Sequence, residues 1–129
     1  HKPGIKLVPF PEEITLQLDD KRIRILARNV IGNALRYSQP DGYPVEISLR
    51  EKKDEIIISV QDFGTGIPEQ DLPFVFEPFY RVDKSRSKKT GGYGLGLSLS
   101  KRIMEAHGGK IEIASRTNVG TTVFLKFAK

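Results

Sequence analysis

The amino-acid sequence predicts an α+β fold: a two-layer α/β sandwich in which a mixed, mostly antiparallel sheet of about five strands is covered on one face by helices. Two observations carry that expectation. Two pairs of strand-like runs, Val45–Arg50 with Glu55–Gln61 and Gly109–Ser115 with Thr121–Ala128, are each joined by a short turn, and such pairs close as antiparallel hairpins. An amphipathic helical stretch precedes each pair. A doubly wound parallel sheet needs a crossover helix after nearly every strand, and the two hairpins contradict it.

The elements follow in order. Residues 1–12 contain Pro3, Pro9 and Pro11 and read as an extended lead-in or linker, with the domain expected over 13–129. Glu13–Leu18 alternates Ile14, Leu16 and Leu18 with the period of a strand. Asp19 or Asp20 can then cap a helix, along which Ile23, Leu26, Ala27, Val30, Ile31, Ala34 and Leu35 form one apolar stripe. The stretch "SQPDGYP" over Ser38–Pro44 stops it. The first hairpin turns at "EKKD" and leads into the loop "DFGTGIP", Asp62–Pro68. Glu69–Asp83 mixes short helical turns with prolines. A basic stretch and a glycine-rich loop follow, then a helix from about Leu95 to His107 and a hairpin turning at "RTNVG". There are no internal repeats.

At 129 residues with 38% hydrophobic residues, the chain has the size and apolar content of one domain with a real core. It has no cysteine, which excludes disulfides and thiolate metal sites, and His1 and His107 are too few for a histidine metal cage. No apolar run approaches the ~18–20 residues that span a bilayer, and no signal-peptide pattern is present. The expected location is therefore cytoplasmic. The net charge of +5 favours polyanionic partners. Much of the excess lies in Lys84, Arg86, Lys88 and Lys89, which suit either a solvated loop or a phosphate-facing one.

Three stretches could carry chemistry. Asn29, Asn33, Arg36 and Tyr37 share one face of the first helix, spread over about 100°. A carboxamide oxygen is a hard, neutral ligand suited to Mg²⁺, and a guanidinium suits phosphate; a plain polar solvent face is the alternative. Asp62 ends a strand, and Gly64 and Gly66 allow tight turning after it. Its carboxylate can accept from an exocyclic amine, or simply close an Asp-Gly turn. "GGYGLGLS" spaces Gly92, Gly94 and Gly96 as G-x-G-x-G. That is neither the dinucleotide fingerprint nor a P-loop. It still brings bare backbone N–H groups to a helix start, which suits an anion, although a flexible hinge has the same composition.

Taken together and in this order, these elements resemble the catalytic, ATP-binding domain of sensor histidine kinases, in the superfamily that includes gyrase, the Hsp90 chaperones and MutL. The resemblance covers about Ile14 to Phe127. "NVIGNALRYS" looks like the N box. The match implies Asn33 as Mg²⁺ ligand, Asn29 as a second polar contact, Arg36 on a phosphate and Tyr37 at the nucleotide. "DFGTGIP" looks like the G1 box, implying that Asp62 holds the adenine amino group while Gly64, Gly66 and Ile67 shape the pocket. "FVFEPFYRVD" looks like the F box, with Phe76 and Phe79 anchoring an ATP lid, Tyr80 at the nucleotide and Arg81 reaching the γ-phosphate. The G2 box then supplies Gly92, Tyr93, Gly94, Leu95, Gly96 and Leu97 around the phosphates, and "GTTVFLKF" places Thr121 at the adenine end. The lid falls at 82–93, which sets the basic stretch beside the triphosphate or a partner and argues against nucleic acid.

Superfamily members that hydrolyse ATP commonly carry a glutamate one turn before the metal asparagine. Asn29 stands there, and a carboxamide cannot take the proton from water near neutral pH. The resemblance thus implies transfer, with Asn33, Arg36 and Arg81 as the catalytic residues, over hydrolysis. The acceptor implied is a histidine on a separate helical dimerisation domain. His1 lies outside any matching helix, and His107 suits a helix C-terminus, so an excised catalytic domain that does not phosphorylate itself is expected. A response regulator, a parent protein free to be membrane-anchored, no membrane contact by this domain, and a monomer in isolation complete the expectation. The alternatives are a superfamily ATPase, a serine kinase of the anti-sigma type, and a non-catalytic polyanion-binding module.

Overall fold

A computed structural model describes residues 5–7, 18–38, 42–78 and 96–129. Helix α1 spans Asp20–Tyr37. Asp19 is its N-cap, extended at φ −76°, ψ 112°, and the Asp19 carboxylate accepts from the Arg22 N–H at 3.1 Å. That bond satisfies one of the amide donors left free at a helix start. At the other end Ser38 turns the chain to extended backbone, and its hydroxyl donates to the Ala34 carbonyl at 2.7 Å. The expected stripe is the buried one: Leu26, Val30 and Ala34 lie in the core, with Ile23, Ile31 and Leu35 packed against it.

Strands β1 (Ile5–Leu7), β2 (Val45–Glu51), β3 (Glu55–Asp62), β4 (Lys110–Arg116) and β5 (Gly120–Ala128) form one sheet in the order β1-β2-β3-β5-β4. β1 runs parallel to β2; every other pairing is antiparallel. The register stacks apolar side chains in rows across the sheet. Ile47, Val60, Val123 and Ile113 are successive partners, as are Leu49, Ile58, Leu125 and Ile111. Directly opposed residues point to the same face, so these rows make one wall of the core. The alternate residues Glu46, Ser48, Gln61, Thr122, Lys126 and Glu112 fall on the other face, where Lys126 Nζ lies 2.7 Å from Glu112 Oε1.

Helix α2 (Gly96–Ala106) buries Ile103 and Met104 in the same core as α1. Its C-terminus is tied to the start of α1 by His107. The imidazole Nδ1 lies 2.8 Å from the Ile103 carbonyl, while Nε2 lies 3.0 Å from the Asp19 backbone N. A carbonyl only accepts and a backbone N–H only donates, so Nδ1 is the donor and Nε2 the acceptor in this pair of bonds. The helix-terminal role expected for His107 is present, with a second bond that links the two helices.

The first strand differs from expectation. Of Glu13–Leu18 only Leu18 is described, and it is not in a strand; residues 13–17 lie outside the described residues. The fifth strand instead comes from the proline-rich start, where Ile5, Lys6 and Leu7 pair with Val45, Glu46 and Ile47. All three residues of β1 are exposed. A three-residue edge strand with no buried side carries no alternation that a period-two pattern could detect.

Candidate functional site

The site is built where β3 ends and β5 begins, against the end of α1, with the described start of α2 beside Asn33 of α1. Asp62, the last residue of β3, is 4% exposed. Its Oδ1 accepts from the Gly64 N–H at 3.0 Å and the Thr121 N–H at 3.2 Å. Burial pushes the Asp62 pKa up, and those two backbone bonds draw it part of the way back. Both bonds fall on the same oxygen. Among the described residues Oδ2 has no hydrogen-bond donor, and a buried carboxylate oxygen left in that state calls for a partner.

The loop after Asp62 is clamped from two sides. A Cβ on Gly64 would lie 1.8 Å from the Tyr37 carbonyl oxygen, and the Thr65 N–H donates to that same oxygen at 3.3 Å. Only glycine lets the loop pass this close to the last turn of α1. Gly66 has φ 75°, and its Cβ would meet the Arg116 carbonyl at 2.2 Å. The Asn118 N–H, from the β4–β5 turn, donates to the Thr65 carbonyl at 2.7 Å. Ile67 is held by its own N–H, which donates to Ser115 Oγ at 2.7 Å. Tyr37 enters the site through its carbonyl, and the residue is exposed.

At the other end the helices meet. Asn29 and Asn33 are partly buried on α1, and an Arg36 guanidinium nitrogen donates to Asn33 Oδ1. Gly96 opens α2 beside them: a Cβ there would be 4.0 Å from Asn33 Nδ2. Gly96 and Leu97 are the first described residues of α2; the N–H groups in the first turn of a helix lack intrahelical acceptors and carry the positive end of its dipole. An anion above Asn33 would thus face Arg36 and a helix N-terminus together. Phe76 is fixed near α2 by Lys101, whose Nζ lies 5.9 Å from the ring centroid. Phe79, Tyr80, Arg81, Gly92, Tyr93, Gly94, Leu95 and the basic residues Lys84, Arg86, Lys88 and Lys89 lie outside the described residues.

The structure therefore brings Asp62, Gly64 and Thr121 into one hydrogen-bonded group, and Asn33, Arg36 and Gly96 into another. Sequence reasoning missed Ser115 and the β4–β5 turn, which hold the loop. The available signal was slight: a serine at the end of an alternating strand, where an apolar residue would continue the pattern Ile111, Ile113.

The same architecture occurs in known proteins. Residues 18–129 match the family described as "Histidine kinase-, DNA gyrase B-, and HSP90-like ATPase". The chain belongs to this family. It is an ATP-binding domain of the histidine kinase type. It is 39% identical over 129 residues to the sensor histidine kinase YkoH of Bacillus subtilis, covering all of this chain and 28% of that protein. It is 42% identical over 124 residues to the sensor histidine kinase WalK of the same organism, covering 95% of this chain and 20% of that protein. Among solved structures, the catalytic domain of histidine kinase ThkA superposes with a TM-score of 0.81 at 27% identity, over 98% of this chain and 80% of that one. The mycobacterial sensor histidine kinase MprB gives a TM-score of 0.79 at 27% identity, over 97% and 81%. The chain thus spans about a quarter of the length of these curated relatives. No described helix is long and apolar enough to cross a membrane.

Proposed function

We propose that this chain binds Mg²⁺-ATP and presents the γ-phosphate to a histidine on a separate helical domain of its parent protein, from which the phosphoryl group passes to a response regulator. The observation that carries the nucleotide pose is Asp62: buried, held through Oδ1, and with no donor on Oδ2 among the described residues. The adenine amino group is a donor of the required kind. Arg36 and the first turn of α2 meet the phosphates at the opposite end. Arg81 and Tyr80, just before the lid at 82–93, and the glycine-rich stretch Gly92–Leu97 at its far end would complete that end.

The donor set suits a divalent cation. Asn33 offers one neutral oxygen on a helix beside the anion-facing turn, and Mg²⁺ keeps several waters and shares phosphate oxygens. When bound, the ion would offset charge developing on the phosphates. Asn33 Oδ1 accepts from Arg36 in the structure, so ligation of a cation requires Arg36 to move to a phosphate. The two residues are therefore expected to act together.

Asn29 favours transfer over hydrolysis. It stands one turn before Asn33 and carries no basic group to activate water. The chain's part is positional: it orients the triphosphate and stabilises charge, and the attacking imidazole comes from outside. The domain alone is expected to be a monomer without nucleic-acid or membrane contact. Calorimetric titration of ATP with Mg²⁺, then with chelator, tests the reading. Binding near 1 μM, about −8 kcal/mol, that weakens markedly without the metal supports it. Absence of binding in both conditions refutes it, and steady ATP turnover by the isolated chain would favour a superfamily ATPase instead.

A further inference from the structure

Ser115, Thr121 and Asp62 form a polar row across three strands. Thr121 is the register partner of both Asp62 on β3 and Ser115 on β4, so the three side chains stand on one face of the sheet. The next row on that face, Val60, Val123 and Ile113, is apolar, and Asp62 and Thr121 are buried. The protons in this row can be counted. Among the described residues Ser115 Oγ has three partners: the Ile67 N–H at 2.7 Å, the Gly120 carbonyl at 3.0 Å and Thr121 Oγ1 at 2.7 Å.

A hydroxyl has one proton and two lone pairs. The Ile67 N–H takes one lone pair. The Gly120 carbonyl can only accept. All three contacts become hydrogen bonds in one arrangement alone: Ser115 donates to Gly120, and Thr121 donates to Ser115. Were Ser115 to donate to Thr121 instead, its bond to Gly120 would be lost. In a buried setting the arrangement with every group paired is favoured. Thr121 then has no proton left for anything else and presents only lone pairs.

We propose that Ser115 is a positioning residue that sets the hydrogen-bond polarity of the base pocket: by taking the Thr121 proton it makes both Thr121 and Asp62 acceptors, so that the pocket selects a 6-amino purine over a 6-oxo purine. A 6-amino group, directly or through a bridging water, supplies the protons two acceptors need. A 6-oxo group faces them with a third acceptor. Through the Ile67 N–H the same hydroxyl fastens the base loop to the β4–β5 hairpin. Polarity and placement of the pocket are thus joined at one atom. The inference rests on the adenine pose proposed above.

The test compares the affinity of this chain for ATP and for inosine triphosphate, which carries a 6-oxo group and an N1–H. Wild type should prefer ATP. Ser115→Ala frees the Thr121 hydroxyl to donate outward, and the ATP-to-ITP preference should fall roughly five- to tenfold, the value of about one hydrogen bond. Ser115→Thr keeps a hydroxyl and should restore the preference. A purely structural serine would weaken both nucleotides equally and leave the ratio unchanged; that result overturns the proposal, as does failure of Ser115→Thr to restore it. Should Ser115→Ala fail to fold, Thr121→Val carries the test: it removes the acceptor at constant shape, so an unchanged ratio rejects the proposal. Failure of the underlying pose looks different: wild type would then bind ATP and ITP alike, or neither.

Discussion

The two ends of the site are made of different materials. The base end is tied by backbone N–H groups that donate to acceptors far away in sequence: Thr121 to the Asp62 carboxylate, Asn118 to the Thr65 carbonyl, Ile67 to the Ser115 hydroxyl. The proposed phosphate end is side chain, on helices, and among the described residues the bond there joins two residues three apart, Arg36 and Asn33. Arg36 is exposed, whereas Asp62 is buried. The base end is therefore preorganised, since the sheet register already sets its donors and acceptors. At the proposed phosphate end Arg36 pairs with Asn33, and the proposed pose has the ligand separate them. Rigid recognition of a neutral base and adaptable handling of a charged, reacting triphosphate make those opposite demands.

Substitutions can break the contrast at chosen points. The largest effect is expected for Gly64→Ala. Its Cβ would overlap the Tyr37 carbonyl, and backbone cannot yield as a side-chain tip can. The loop must leave α1, with a loss of about 3 kcal/mol or more in stability, read by thermal melting, and loss of ATP binding. Asp62→Asn comes next. It keeps the shape and the Oδ1 acceptor but turns Oδ2 into a donor, which faces the adenine amine with like polarity. ATP affinity should fall by about 2–3 kcal/mol with little change in melting temperature, and an undiminished affinity would move adenine elsewhere.

Asn33→Ala probes the other end. It should abolish the magnesium dependence of ATP binding while leaving the metal-free affinity near that of wild type, measured by paired titrations with Mg²⁺ and with chelator. Near-normal Mg²⁺-dependent affinity would remove Asn33 as the ligand. A smaller effect is expected with pH. Burial raises the Asp62 pKa above 3.8, so the native chain retains a proton that the unfolded chain has released. This contribution to stability is present at low pH and is lost as pH rises from 3.8 through the native value. An amine donor favours the ionised carboxylate, so ATP affinity should weaken as pH falls through that same value, and Asp62→Asn should remove the dependence. The smallest effect belongs to the solvent face of the sheet. Lys126 holds the Glu112 pKa down by a hydrogen bond, yet both groups are open to solvent. Glu112→Gln should leave melting and nucleotide binding unchanged within error.

How much of this was legible differs between the same two regions. The phosphate end was readable because helical periodicity aligns residues by local spacing: Asn29, Asn33 and Arg36 share a face in any helix of that sequence. Of the base end, Asp62, Gly64 and Gly66 were conspicuous as a loop, and Thr121 was picked out through the family resemblance. Ser115 was invisible. Its role depends on which strand neighbours β5 and in what register, and strand pairing across an intervening loop leaves no local mark. β1 was hidden for a related reason, since an exposed edge strand needs no apolar alternation.

By itself the sequence determined the helices, the two hairpins, the order of the boxes and thereby the family, because each depends on periodicity or composition within a short window. Tertiary structure alone decided that β5 inserts between β3 and β4. That placement sets Asp62, Thr121 and Ser115 side by side and closes the base loop against the β4–β5 turn. Hydrogen bonds between residues 48 and 59 positions apart exist only once the sheet has brought them within 3 Å or so of each other, and no reading along the chain can place them.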